Sequence, residues 1–350
     1  MSIKKDYNFS YKNSGIDVKK ADKLIKKVKP LISSTNNNNT IGEIGGFGGL
    51  FNINTNTYKH PVLVAATDGV GTKLLIAEKL NKFDTIGIDL VAMSVNDIIV
   101  QGAKPLFFLD YLAVNKLKEK VFISILNGIT KGCLEAECAL IGGETAELPG
   151  IYPKGGYDLA GFGVGIVERK KLLPNGKTKA GDILVALPST GIHSNGFSLI
   201  RNIIRKKKLS LKKKIYGNNT LGNLLLKPTK IYVKSILKIL NSNIKVNAIA
   251  HITGGGIIDN LKRVLPNDLG FSIYKNKLAF SKKNNIYYWL KNDCAVSEKE
   301  MLKTFNCGYG LILVIPNKEK NNIFKFCSSI RQPIEEIGKI LANKKITFFN

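Results

Sequence analysis

Histidine and tryptophan are scarce in this 350-residue chain, which carries three of the first and one of the second. Its five cysteines (Cys133, Cys138, Cys294, Cys307, Cys327) are odd in number and form no CxxC pair. That excludes a disulfide framework or a zinc ribbon and fits reduced thiols packed as small apolar residues. No apolar run approaches the roughly 18–20 residues that cross a bilayer, so no membrane partner is expected. The first residues, Met1–Asp6, are polar and lack the apolar core of a signal peptide. The expected location is cytoplasmic. Neither a Walker GxxxxGK[ST] pattern nor an aromatic RNA-binding run occurs, and no Ser-His-Asp spacing stands out.

Acidic residues are also few. Lysine and arginine total 53 against 26 aspartates and glutamates, a formal charge of +27. The lysines are spread along the whole chain with abundant asparagine and isoleucine, including the run Asn36–Asn39. This reads as compositional drift on solvated faces, not as a nucleic-acid-binding stripe, and the positive field favours small anionic substrates. Hydrophobic residues make up 44% and the mean hydropathy is near zero, as in a globular protein.

The order of elements predicts an α/β (α+β) fold of two domains with mixed sheets and flanking helices. Residues 1–60 form an extension with a Lys-rich amphipathic helix near 17–29 and a glycine-rich segment. An N-terminal domain over 61–170 has strands near 61–66, 106–114, 138–142 and 158–168, with helices at 73–80, 85–102 and 120–136. The turn signal Pro174-Asn175-Gly176 follows. A C-terminal domain over 171–350 has strands near 182–187, 246–250, 269–275 and 308–315, and helices from 196 and at 229–240. Stretches 334–341 and 345–349 read as edge strands.

Chemistry concentrates in loops that follow strands. Thr67-Asp68-Gly69-Val70-Gly71-Thr72-Lys73 leaves a strand and enters a helix, so its amides can face an anion. Asp68 suits Mg²⁺ and Lys73 a phosphate, unless the segment is a tight Asp-Gly turn. Helix 85–102 is apolar almost all round, yet Asp89, Met93, Asn96 and Asp97 share one face. Buried acids need a metal or a partner such as a lysine. Gly142-Gly143-Glu144 ends another strand and suits a cation, or is a surface loop. Gly45-Gly46-Phe47-Gly48 is a flap over a ligand or a solvent loop. Two of the histidines sit in glycine-flanked loops, His193-Ser194-Asn195-Gly196 and His251-Ile252-Thr253-Gly254-Gly255-Gly256, the second opening onto a helix.

Together these motifs resemble the phosphoribosylformylglycinamidine cyclo-ligases, the aminoimidazole ribonucleotide synthetases of purine biosynthesis. The likeness runs from Tyr11–Asp17 through the flap and the Thr67–Lys73 loop to Gly87–Asp97 and Gly102-Ala103-Lys104-Pro105, which fits the signature D-x4-G-A-x-P. It continues through Gly142–Gly150, the two histidine loops and Thr304–Gly308. Departures are confined to the Asn-rich stretch, the Lys-rich loops and a plain C-terminus.

The resemblance implies ATP and Mg²⁺ as cofactors, formylglycinamidine ribonucleotide as substrate, and a homodimer whose N-terminal domains pair through their sheets. It implies an ATP site from Gly45, Gly46, Phe47, Gly48, Thr67, Asp68, Gly69, Gly71, Thr72, Lys73 and Asp97, with Mg²⁺ on Asp68, Asp97 and Glu144. Substrate contacts fall to His193, Ser194, Asn195, Thr253, Gly254, Gly255 and Gly256. The catalytic set is Asp68, Asp97, Glu144, His193 and His251.

Overall fold

A computed structural model describes residues 18–349, so the Tyr11–Asp17 motif lies outside the described residues. Helix α1 (Val18–Ser33) presents Leu24, Val28 and Ile32 to the core while Lys23, Lys26 and Lys27 are exposed, and it continues one turn past Pro30. The first domain follows as β1 (Pro61–Gly69), α2 (Leu74–Leu80), α3 (Ile86–Val100), β2 (Lys104–Val114), α4 (Glu119–Ala136), β3 (Ala139–Glu147) and β4 (Tyr157–Glu168). Its sheet has the order β1-β4-β2-β3, with β2 and β3 parallel and the other pairs antiparallel. Strand β1 runs to Gly69, three residues beyond the expected end, because Thr67, Asp68 and Gly69 stay paired with Phe162, Gly161 and Ala160. Likewise Gly142–Glu147 is strand, paired along β2 up to Val114, and not a loop.

The second domain contains β5 (Ile183–Pro188), α5 (Phe197–Lys206), α6 (Val233–Leu240), β6 (Ala248–His251), α7 (Gly256–Lys262), β7 (Gly270–Tyr274), α8 (Glu298–Thr304), β8 (Tyr309–Ile315), α9 (Lys320–Ser329), β9 (Glu335–Leu341) and β10 (Ile346–Phe349). The sheet order is β6-β8-β5-β9-β7-β10, antiparallel except for the β7/β10 pair. Both sheets are therefore mixed, as the irregular alternation of elements predicts. Of the two stretches expected at an edge, β9 is interior, between β5 and β7, and β10 is an edge strand. In β9, Glu335 and Glu336 are ion-paired with Lys277 and Lys320, while Ile337 and Ile340 fill the core.

Helix α3 is the axis of the molecule. Every residue from Ile86 to Val100 is buried except Asp97, which fits its near-continuous apolar sequence. One side packs on the sheet and on α4; the other meets the second domain. At the α3/α4 crossing, Gly87 and Gly128 touch backbone to backbone: a Cβ on Gly87 would lie 2.3 Å from the Ile125 carbonyl oxygen. Gly87→Ala should cost about 1–3 kcal/mol through overpacking, read as a lower urea midpoint at unchanged slope. A neutral effect would mean that the helices separate easily.

Asp110 on β2 is buried over Gly143, close to Cys133, and burial pushes its carboxyl up to about 7. An unfolded aspartate titrates near ~3.9. Between these two values the folded chain binds more protons than the unfolded one, so stability falls as pH rises through that window. Asp110→Asn should flatten the fall, measured by urea unfolding at mildly acid and mildly alkaline pH. An unaltered pH slope would count against it.

Candidate active site

The two domains meet along the polar face of α3. Lys73, in the short 3₁₀ turn between β1 and α2, is fully buried, and its Nζ lies 2.7 Å from Asp89 Oδ2. The same ammonium donates to the carbonyls of His193 (3.1 Å) and Lys227 (2.8 Å), both in the second domain. Asp89 Oδ1 accepts from the Thr229 amide (2.7 Å) and hydroxyl (2.6 Å). Further along, Asn96 donates to the Lys230 carbonyl and accepts the Tyr232 amide. Burial draws the Lys73 amine below the ordinary lysine range, and the Asp89 carboxylate opposes it.

This overturns the expected role of Lys73 as a phosphate ligand. Its three protons are committed to Asp89 and two carbonyls, and no side of it is open to a ligand. Asp89 took the alternative open to it in the sequence, a lysine partner.

Asp97 has the opposite environment. Its side chain is 48% exposed, and Oδ1 lies 2.7 Å from His251 Nδ1 at the end of β6. His251 is buried, and its Nε2 has no hydrogen-bond partner among the described residues. Asp68, at the end of β1, is half-buried, and Oδ1 accepts the Gly69 amide. Its carboxyl is raised above the usual aspartate range, chiefly by burial and further by the Asp97 charge, against the Gly69 bond and His251. Asp68, Asp97 and His251 thus share one electrostatic neighbourhood.

His193 follows β5 with a left-handed backbone, φ 64°. Its ring is buried; Nε2 accepts the amides of Thr190 and Lys230, both at 3.4 Å, which leaves Nδ1 protonated and without a partner among the described residues. Burial, then His251, Lys73 and Lys230, hold this imidazole well below its usual pKa, so it is neutral at pH 7. Ser194 Oγ meets Thr229 Oγ1, and Asn195 lies against the other glycine loop: a Cβ on Gly254 would be 3.5 Å from Asn195 Oδ1. Asn260 donates to the carbonyls of Thr253, Gly254 and Gly256, fixing that loop from behind. Thr72 Oγ1 is 3.3 Å from Ser198 Oγ across the domain seam.

The structure therefore brings together Asp68, Gly69, Gly71, Thr72, Asp97, His193, Ser194, Asn195, His251 and Thr253–Gly256. It does not bring Glu144 or the flap to them. Asp68, Gly161, Asp110 and Gly143 form one row across four strands. Three strand spacings put Glu144, next to Gly143, about 14 Å from Asp68. Gly45–Gly48 is exposed on the same far edge, where Gly49 abuts the Ile141 carbonyl. Thr67 is exposed, and its hydroxyl is spent on the Gly161 carbonyl. Among the described residues no three His, Cys, Asp or Glu side chains stand close enough to hold a metal ion. One chain cannot therefore place Asp68, Asp97 and Glu144 on a single Mg²⁺. Sequence reasoning missed Thr229, which carries no motif; its only signal is that a buried acid on α3 needs donors from elsewhere.

Two mixed-sheet domains joined along one buried helix, with carboxylates and glycine turns at the seam, define an AIR-synthase-like fold. The model for the AIR synthase related protein N-terminal domain matches residues 53–167, and that for the C-terminal domain matches 179–349. The chain is 48% identical to a phosphoribosylformylglycinamidine cyclo-ligase of Geotalea uraniireducens over 333 residues, covering 95% of this chain and 94% of that one. It is 49% identical over 319 residues to the trifunctional purine biosynthetic protein adenosine-3 of Gallus gallus, covering 90% of this chain but 31% of that longer protein. A thiamine-monophosphate kinase structure from Stenotrophomonas maltophilia superposes with a TM-score of 0.67 at 17% identity, covering 93% of this chain and 95% of that one. HypE of E. coli gives 0.64 at 15%, covering 92% of each chain. The chain belongs to the AIR synthase family, and it is a ligase of the cyclo-ligase branch, in purine biosynthesis. No helix of the described residues is long and apolar enough to cross a membrane.

The buried pair gives a direct test. Lys73→Met leaves the Asp89 charge without its cation and should cost about 3–5 kcal/mol. Adding Asp89→Leu should recover much of that loss, because two apolar residues replace the pair. A double variant as unstable as the sum of its singles would sink the interpretation; urea titration of the four proteins reads it out.

Proposed function

We propose that this enzyme closes the imidazole ring of aminoimidazole ribonucleotide from formylglycinamidine ribonucleotide, with Mg·ATP as co-substrate, in the cytoplasm. The carrying observation is the convergence of Asp68, Asp97 and His251 with the two glycine-histidine loops at the domain seam. A formamide oxygen is a poor leaving group. Transfer of the γ-phosphoryl group to that oxygen gives an imino-phosphate; the substrate's amidine nitrogen then attacks the formyl carbon, and phosphate departs with the oxygen.

The residues suit these demands. Asp68 and Asp97 supply carboxylates at the end of a strand and on the exposed point of α3, where Mg²⁺ would be held. When bound, that ion neutralises charge on the phosphoryl oxygens. Nε2 of His251 and Nδ1 of His193 are buried nitrogens with no hydrogen-bond partner among the described residues, each open to a polar ligand or water. Asp97 orients His251 through Nδ1, leaving Nε2 toward the site. Neutral His193 can donate a hydrogen bond without adding charge beside Lys73. The Thr253–Gly256 loop, held by Asn260, is proposed to contact the ribose phosphate, beside Ser194 and Asn195. Holding nitrogen and carbon together contributes up to about 7–11 kcal/mol in favourable intramolecular cases.

The reading includes a homodimer. The face of the first sheet turned away from α3 exposes Leu63 (57%), Tyr111 (40%) and Phe162 (40%) side by side with Ala65 and Ala160. Such a patch favours burial against a second copy. Pairing of two such sheets would also let the carboxylate and the exposed Phe47 of the far edge serve a site drawn from two chains. Phe162→Glu is expected to halve the sedimenting mass; an unaltered mass would reject this face.

Incubation with formylglycinamidine ribonucleotide and Mg·ATP should yield ADP, phosphate and aminoimidazole ribonucleotide, and absence of cyclised product would overturn the assignment. Asp97→Asn should lower kcat/KM by about 10²–10³ with little change in Tm, since the side chain is half-exposed. Full activity in that variant would remove Asp97 from the mechanism.

A further inference from the structure

A second cavity lies between the domains, beyond the C-terminal end of α3, and shares no lining residue with the seam described above. It has a volume of about 1040 Å³. Six of its 17 lining residues are lysines, drawn from segments far apart in sequence and converging on one wall. Lys104 opens β2 of the first domain, and Lys59, Lys170 and Lys171 flank β1 and β4 of the same sheet; Lys234 and Lys238, one helical turn apart, come from α6 of the second domain.

Only two carboxylates face these six amines. Glu137 is 3.6 Å from Lys234. Glu168 accepts the backbone amides of His60 (3.2 Å) and Lys59 (2.8 Å), which with the charges of His60 and Lys170 hold its carboxyl below the usual range, against its partial burial. The other five lysines have no ion-pair partner among the described residues. The floor is apolar, with Ile166 and Val167 buried and Leu237 and Phe326 half-buried.

The rim is fixed by the fold. The Arg169 amide donates to the His60 carbonyl, and the Leu173 amide donates to the Gln101 carbonyl. These bonds hold the Lys170-Lys171 turn against the start of β1 and the end of α3. Unneutralised amines converging on one concave wall repel one another, and a multivalent anion removes that cost.

We propose that this cavity binds an oligophosphate group, with the lysines of both domains around the phosphates and the apolar floor available to a base. The shared chemistry has two sources, a nucleoside polyphosphate or a free inorganic polyphosphate. Bound there, the anion ties α6 to the first domain at a point remote from Asp97. The site stands independently of the cyclisation reading.

The test is calorimetric titration of the full-length protein, first saturated with Mg·ADP, using inorganic triphosphate and then UTP. Triphosphate should bind at one equivalent per chain, with affinity falling steeply as salt rises. The surface variant Lys170→Glu/Lys238→Glu should weaken it about tenfold or more while keeping the wild-type cyclisation rate without triphosphate. UTP binding more tightly than triphosphate identifies a nucleotide as the source; equal binding identifies free polyphosphate. The proposal is overturned if wild type takes up no triphosphate, if the variant binds it as well as wild type, or if short single-stranded RNA binds this face in preference to triphosphate.

Discussion

The arrangement of this enzyme depends on one buried charge pair. Lys73 and Asp89 belong to the same domain, but the groups that satisfy them come from the other: two carbonyls for the ammonium, and the amide and hydroxyl of Thr229 for the carboxylate. Two charges taken out of water are tolerable only with such a complete set of partners. Neither domain alone can supply it. The pair therefore contributes less to net stability than to register, because any other docking of the domains would leave a bare charge inside. His193 inherits its position from this constraint, since its carbonyl is one of the acceptors.

Helix α3 spaces the polar chemistry along the seam. Asp89 is sealed, Asn96 is spent on backbone bonds to the second domain, and Asp97 alone keeps access to solvent and to His251. Residues at offsets of seven and eight along one helix thus serve opposite ends, cohesion and reactivity. The boundary between those roles is where the second domain stops covering the helix.

Much of this was legible in the sequence. The apolar run of α3 announces burial from both sides, and the alternation of strands and helices announces mixed sheets. The histidine loops are marked by their glycines. What stayed hidden depends on partners far along the chain. Whether a buried aspartate meets a metal or a lysine is decided by which residues fold against it, and Lys73 and Asp97 carry no local mark separating an interior tie from an open ligand. Strand register, too, is a collective property: no motif tells that Glu144 lies across the sheet from Asp68. The interior placement of β9 likewise depends on distant partners, since its glutamates pair with lysines on other elements.

The contact between Gly87 and Gly128 bears on how such a chain can evolve. Its solvent-facing positions are rich in lysine and asparagine, residues the surface accommodates one at a time. At the helix crossing a single step has no room, since any side chain on either glycine runs into the neighbouring backbone. Two regimes of mutational freedom therefore coexist in one molecule. The exterior takes a Lys- and Asn-rich composition, while the crossing of α3 and α4 holds the smallest residue available.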